Sequence, residues 1–131
     1  MQDSPPPSKA SGPYSPVRRI GDLYFTAGHV GVDSATGKAD PDLCVQVNMA
    51  IANLQNTLGG VGLVLDDVVK VTLFVTDMAQ FAAVNEEYVK HFTEPRPARS
   101  TVGVKELPRV GGDVQIKVEI EAVAAHASED K

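Results

Sequence analysis

The stretch Val114-Gln-Ile-Lys-Val-Glu-Ile-Glu-Ala-Val-Ala124 decides the fold. Val114, Ile116, Val118, Ile120, Ala122 and Ala124 alternate with Gln115, Lys117, Glu119 and Glu121, a period of two that predicts one strand over 114–124 with an apolar and a polar face. Upstream, Val68-Val-Lys-Val-Thr-Leu-Phe-Val75 is a nearly continuous β-branched and apolar run of the kind found in strands covered on both faces, and Asp66-Asp67 leads into it. Between the two, residues 100–104 read as a strand and residues 108–113 as a glycine-bearing turn. Nearer the N-terminus, Val17–Ile20 and Leu23–Ala27 form a strand pair around Gly21-Asp22. Gly28 then interrupts the pattern, as a bulge or a close backbone approach does, and residues 33–38 are a loop by composition.

Two segments have helical spacing instead. Leu43, Val47, Ala50, Ile51, Leu54 and Leu58 recur at intervals of three and four, behind Asp40-Pro41 as a start and ahead of Gly59-Gly60 as a stop. Phe81, Val84, Tyr88 and Phe92 form a second stripe, with Asp77 as cap, Gln80 at the capping-box position, and Pro95 and Pro97 beyond its end. The order β-β-α-β-α-β-β predicts an α/β domain with a mixed sheet and right-handed crossovers that leave both helices on one face. The other face needs a cover, most simply another subunit.

The chain has 131 residues, a length for one domain. Five of its nine prolines fall in residues 1–16, read as an extended leader before a domain at 17–125 and a polar tail at 126–131. A formal charge of −5 offers no net positive field to nucleic acid or anionic lipid, so neither is an expected partner. There is no signal-peptide pattern and no apolar run of about 18 residues, so a cytoplasmic protein without a membrane segment is expected.

Most motifs for chemistry are missing. Cys44 is the single cysteine and lies beside an apolar stripe, so it reads as an inert packing residue. His29, His91 and His126 lack zinc spacing, and no metal is expected. Gly59-Gly60-Val61-Gly62 follows a helix and lacks the Lys-Ser/Thr of a phosphate loop, which leaves a helix stop. Arg99, in Pro97-Ala98-Arg99-Ser100-Thr101-Val102, is placed where a turn enters a strand behind a rigid proline. A fork so held suits bidentate capture of a carboxylate, although taken alone a surface salt bridge is the more common reading of such an arginine.

That motif, followed by Val118-Glu119-Ile120-Glu121-Ala122, resembles the signature of the Rid family of reactive-intermediate (imine) deaminases. The resemblance also runs through Gly12-Pro13-Tyr14-Ser15, Thr26-Ala27-Gly28, Val68 to Val75, and Phe81, Asn85, Tyr88 and Phe92. It implies a chorismate-mutase-like fold, a homotrimer with the sheets in a central barrel, and sites between subunits. The implied activity is hydrolysis of 2-imino or enamine acids to 2-keto acids and ammonia without a cofactor. By matching position, Arg99 pairs with the substrate carboxylate, Glu119 orients water, Tyr14 and Asn85 flank the pocket, and main-chain groups at Gly28 and Thr101 line it. His29 replaces a frequent family Gln and Thr101 a frequent Cys; His29 reads as a pocket hydrogen-bonding group or a subunit-interface residue. Rival readings are a small-carboxylate (2-keto acid) binding module, a pathway-specific deaminase of the aminomuconate type, and an endoribonuclease.

Overall fold

The computed structural model describes residues 12–126. It contains strands β1 (Val17–Ile20), β2 (Leu23–Thr26), β3 (His29–Val30), β4 (Val32–Asp33) and β5 (Lys38–Ala39), helix α1 (Leu43–Gly59), β6 (Val68–Val75), α2 (Phe81–Tyr88), β7 (Ala98–Gly103) and β8 (Val118–Ala125). The main sheet runs β1-β2-β8-β6-β7, with β3 continuing the β2 edge of β8 and β4–β5 forming a separate small hairpin. β6 and β7 are parallel and the other pairs of the main sheet antiparallel. The α/β reading with a mixed sheet holds.

Both helices pack on one face. The buried side chains of α1 (Val47, Ala50, Ile51, Leu54, Leu58) and of α2 and its sequel (Val84, Tyr88, Phe92) form one cluster with Val71, Leu73 and Val75 of β6 and Val118, Ile120, Ala122 and Ala124 of β8. The alternate residues of β6 and β8 point the other way and stay half-exposed, so within the chain β6 is covered on one face only. A shallow hollow of about 210 Å³ on that open face is lined by Phe25, Lys70, Thr72, Glu121 and Val123, among others.

Several boundaries differ from the sequence reading. The last strand begins at Val118, because two backbone groups just before it are taken by a side chain: buried Gln46 donates from Nε2 to the Gln115 carbonyl (2.9 Å) and its Oε1 accepts from Lys117 N (2.8 Å). Ile116 is nevertheless buried, so the alternation reports packing where no ladder exists. α1 is capped by Asp42, whose Oδ1 accepts from Cys44 N (2.8 Å) and Val45 N (3.2 Å), while Asp40 forms a turn upstream by accepting from Asp42 N. Asp77 caps a 3₁₀ turn, Met78–Gln80, and Gln80 makes no side-chain cap bond to α2. β7 begins at Ala98, so Arg99 lies within the strand instead of at its entrance. Among the described residues no helix is long and apolar enough to cross a membrane.

Candidate functional site

Glu119 stands on β8 between Val30 of β3 and Phe74 of β6, on the face opposite Val118 and Ile120. The edge beside it is bulged. β2 pairs with β8 through Tyr24↔Ala124 and Phe25↔Val123, but β3 pairs through His29↔Ile120 and Val30↔Glu119, a shift of one residue at Ala27-Gly28. The bulge lays the Gly28 backbone against the carboxylate, and a Cβ on Gly28 would run into Glu119 Oε2. Burial, with a smaller contribution from the nearby Glu121 charge, raises the Glu119 carboxyl above its ordinary range. Around it lies a cleft of about 400 Å³, walled by Tyr14, Ala27, Gly28, Val30, Pro108 and Val110.

Arg99 belongs to a second cluster. Its β7 position pairs with Val71, a residue of the helix-covered face, and its guanidinium lies 4.7 Å from the Tyr88 ring centre and 5.6 Å from that of Phe81. Tyr88 is stacked in turn on Phe92, with ring centres 4.6 Å apart. Contact with aromatic faces orients the guanidinium plane and leaves its N–H edge for a planar acceptor. Among the described residues no carboxylate lies within ion-pair distance of Arg99. Asn85 Oδ1 and the Tyr88 hydroxyl, on the same helix, are buried without a hydrogen-bond partner there. Thr101 pairs with Leu73, two residues beyond Arg99 on the same face.

The structure thus gathers Tyr14, Gly28 and Glu119 into one cleft, and Arg99, Asn85 and Thr101 beside α2. His29 joins neither. It pairs with Ile120 and turns under the helices, where Nδ1–H donates to the Ala27 carbonyl (2.8 Å) and Nε2 accepts from the Thr57 hydroxyl (2.7 Å). Burial outweighs that carbonyl and lowers its pKa, which favours the neutral ring. Val30, Pro108, Val110, Phe81 and Tyr88 were not singled out as site residues. Phe81 and Tyr88, seven apart on one helix stripe, carried a signal, whereas residues 108–110 were legible only as part of a glycine-bearing turn.

Cys44 lies in a polar seam between the helices. Burial pushes its thiol up, helped by the Glu87 charge, as expected of an unreactive cysteine. Glu87 also accepts from Asn48 (2.9 Å) and Lys90 (3.1 Å), and His91 Nε2 bonds Asn48 Oδ1 (2.7 Å).

The α/β domain thus carries a raised carboxyl against a strand bulge and, on its helix-covered face, an arginine with no carboxylate in ion-pair range among the described residues. Comparison with known proteins shows its family. The family model described as Endoribonuclease L-PSP matches residues 2–126. A RutC family protein of Pyrococcus horikoshii is 38% identical over 117 residues, 88% of this chain and 89% of that one. A 2-iminobutanoate/2-iminopropanoate deaminase of Escherichia coli is 37% identical over 118 residues, 88% of both. Among solved structures, E. coli TdcF with bound serine superposes with a TM-score of 0.79 at 33% identity, covering 97% of each chain. The chain belongs to the Rid family, the family of that model and those relatives.

Proposed function

We propose that the protein hydrolyses reactive 2-imino acids, and the enamines in equilibrium with them, to 2-keto acids and ammonia. The observation that carries this reading is Arg99: strand-held, flanked by two aromatic faces, and without a carboxylate partner among the described residues. Its fork takes the substrate carboxylate in two parallel hydrogen bonds. Glu119 orients a water and accepts its proton as the oxygen adds to the electrophilic imine carbon. The same carboxyl returns that proton to nitrogen to give the carbinolamine, then takes the proton of its hydroxyl and passes it to nitrogen as the C–N bond breaks, so that ammonia departs and a ketone is left at carbon 2. A carboxyl raised by burial suits that two-way transfer.

Arg99 and Glu119 project from opposite faces of the sheet, so one chain does not complete this site. A neighbouring copy laid on the open sheet face supplies the other half, in the trimeric arrangement the family resemblance implies. The serine held by the TdcF relative, an amino acid with the same carboxylate, favours a small acid as ligand. A charge of −5 disfavours the alternative of RNA cleavage suggested by the family description.

The test is a coupled assay in which an amino-acid oxidase or a serine dehydratase generates the imine and its loss is followed with and without the protein. The protein accelerates that loss and Arg99→Ala does not. No acceleration by the wild type, or full activity in Arg99→Ala, overturns the reading.

A further inference from the structure

We propose that the Glu119 cleft is a side-chain pocket for 2-imino acids bearing a large apolar group, branched or aromatic, and that Val110 sets this preference. The inference rests on the deaminase reading and names which of its substrates fit.

The first argument is chemical. With Glu119 at the reacting carbon and the carboxylate held by Arg99 on the other half-site, the substrate's remaining substituent faces the cleft. Apart from Glu119 and the Tyr14 hydroxyl, the side chains around that space are apolar: Ala27, Val30, Pro108 and Val110, with the Tyr14 ring. Among the described residues no cationic side chain lines it, so a second carboxylate on the substrate would be desolvated unpaired. At about 400 Å³ the space is within the range of pockets that enclose far larger molecules than an imino acid with a methyl side chain. Val110 is 36% exposed and Tyr14 51%, large apolar side chains left uncovered by the chain that carries them.

The second argument is that the rim is built. The Gly111 carbonyl accepts from Ala39 N (3.2 Å) of β5, and Val110 N donates to the Pro108 carbonyl (3.1 Å). A Cβ on Gly111 would stand 2.8 Å from Ile116 Cδ1 and 2.9 Å from Ala39 Cβ, so the loop sits tight on buried side chains. Gly112 follows at φ +74°, which turns the chain two residues after Val110. Backbone bonds and packing thus hold Val110 at the cleft.

The experiment compares kcat/KM for imino acids generated from alanine, leucine and glutamate. Each methylene placed in an apolar pocket is worth roughly tenfold or more in discrimination. The leucine-derived imine is expected to exceed the alanine-derived one by roughly tenfold for each of its three additional carbons that the pocket encloses, with the glutamate-derived imine lowest. The leucine-to-alanine ratio falls several-fold in Val110→Ser and is kept in Val110→Leu. A wild-type ratio at or below one, or a ratio unmoved in Val110→Ser, overturns the inference. Dissociation constants of the stable isobutyl and methyl 2-keto acids separate its failure from that of the deaminase reading. With no turnover of any imine, tighter binding of the isobutyl acid that is lost in Val110→Ser still upholds the pocket, and equal binding overturns it.

Discussion

Arg99 and Glu119 lie two strands apart in one sheet and project from its opposite faces. β6 separates them and fixes the relationship: Arg99 pairs with Val71, a core residue of β6, and Glu119 with Phe74, on the alternate face. A parallel or antiparallel partner directs its side chain to the same side as the residue it faces, so neither side chain can reach the other's face. A reaction that needs both groups must join two chains.

Subunit mixing tests this directly. Arg99→Ala and Glu119→Gln are each expected to lose activity by about a hundredfold or more. Refolded together in equal amounts, they should recover about a quarter of wild-type activity, since random mixing leaves that share of sites with both intact halves. Recovery no greater than the sum of the two separate variants would place both groups in one chain's site.

The raised carboxyl of Glu119 has two consequences of opposite sign. In the proposed reaction its ionised form accepts the water proton, so kcat/KM should rise with pH through its folded pKa, above the ordinary 4.5, and then level off. Removing the nearby charge in Glu121→Gln should move that limb to lower pH. For stability, the folded state holds this proton more tightly than the unfolded one between 4.5 and the raised value, so stability falls as pH rises through that window. Glu119→Gln removes the penalty and should unfold at a higher temperature at neutral pH while losing turnover. Thermal denaturation beside the kinetic profile checks both.

Gly28→Ala should reduce activity by about a hundredfold with little loss of stability, because the new Cβ meets the flexible end of Glu119 and displaces its carboxylate by about an ångström. Steady-state kinetics with urea unfolding distinguishes this from misfolding.

His29→Ala should cost about 1–3 kcal/mol, since it strands the Thr57 hydroxyl, which is 0% exposed. The neutral ring is favoured by burial, so in the wild type the unfolded state binds more protons below pH 6.5, and stability falls as pH falls through that value. His29→Ala should flatten this part of the acid limb in urea titrations at several pH values.

Much of the fold was legible because periodicity reports burial. The strand Val68–Val75 appears with the expected bounds, and the α1 stripe is the buried stripe. Gly28 was readable as a bulge or a close backbone approach, and it is both. Residues 114–117 misled for the same reason: Ile116 is buried on schedule, yet the partner of this segment is Gln46, distant in sequence. His29, on a strand end beside the site motif, had no local mark of its bond to Thr57, 28 residues away.

The sequence by itself determined which residues alternate within each strand, which helix stripes seek the core, and that Arg99 and Glu119 carry the family motifs. It could not say whether those two side chains share a face. Alternation defines sides within a strand, but relating two strands takes the pairing register of both with β6, and register depends on long-range packing and on the single-residue bulges at Ala27-Gly28 and Val69. Only the tertiary structure sets the two motif residues on opposite faces of the sheet.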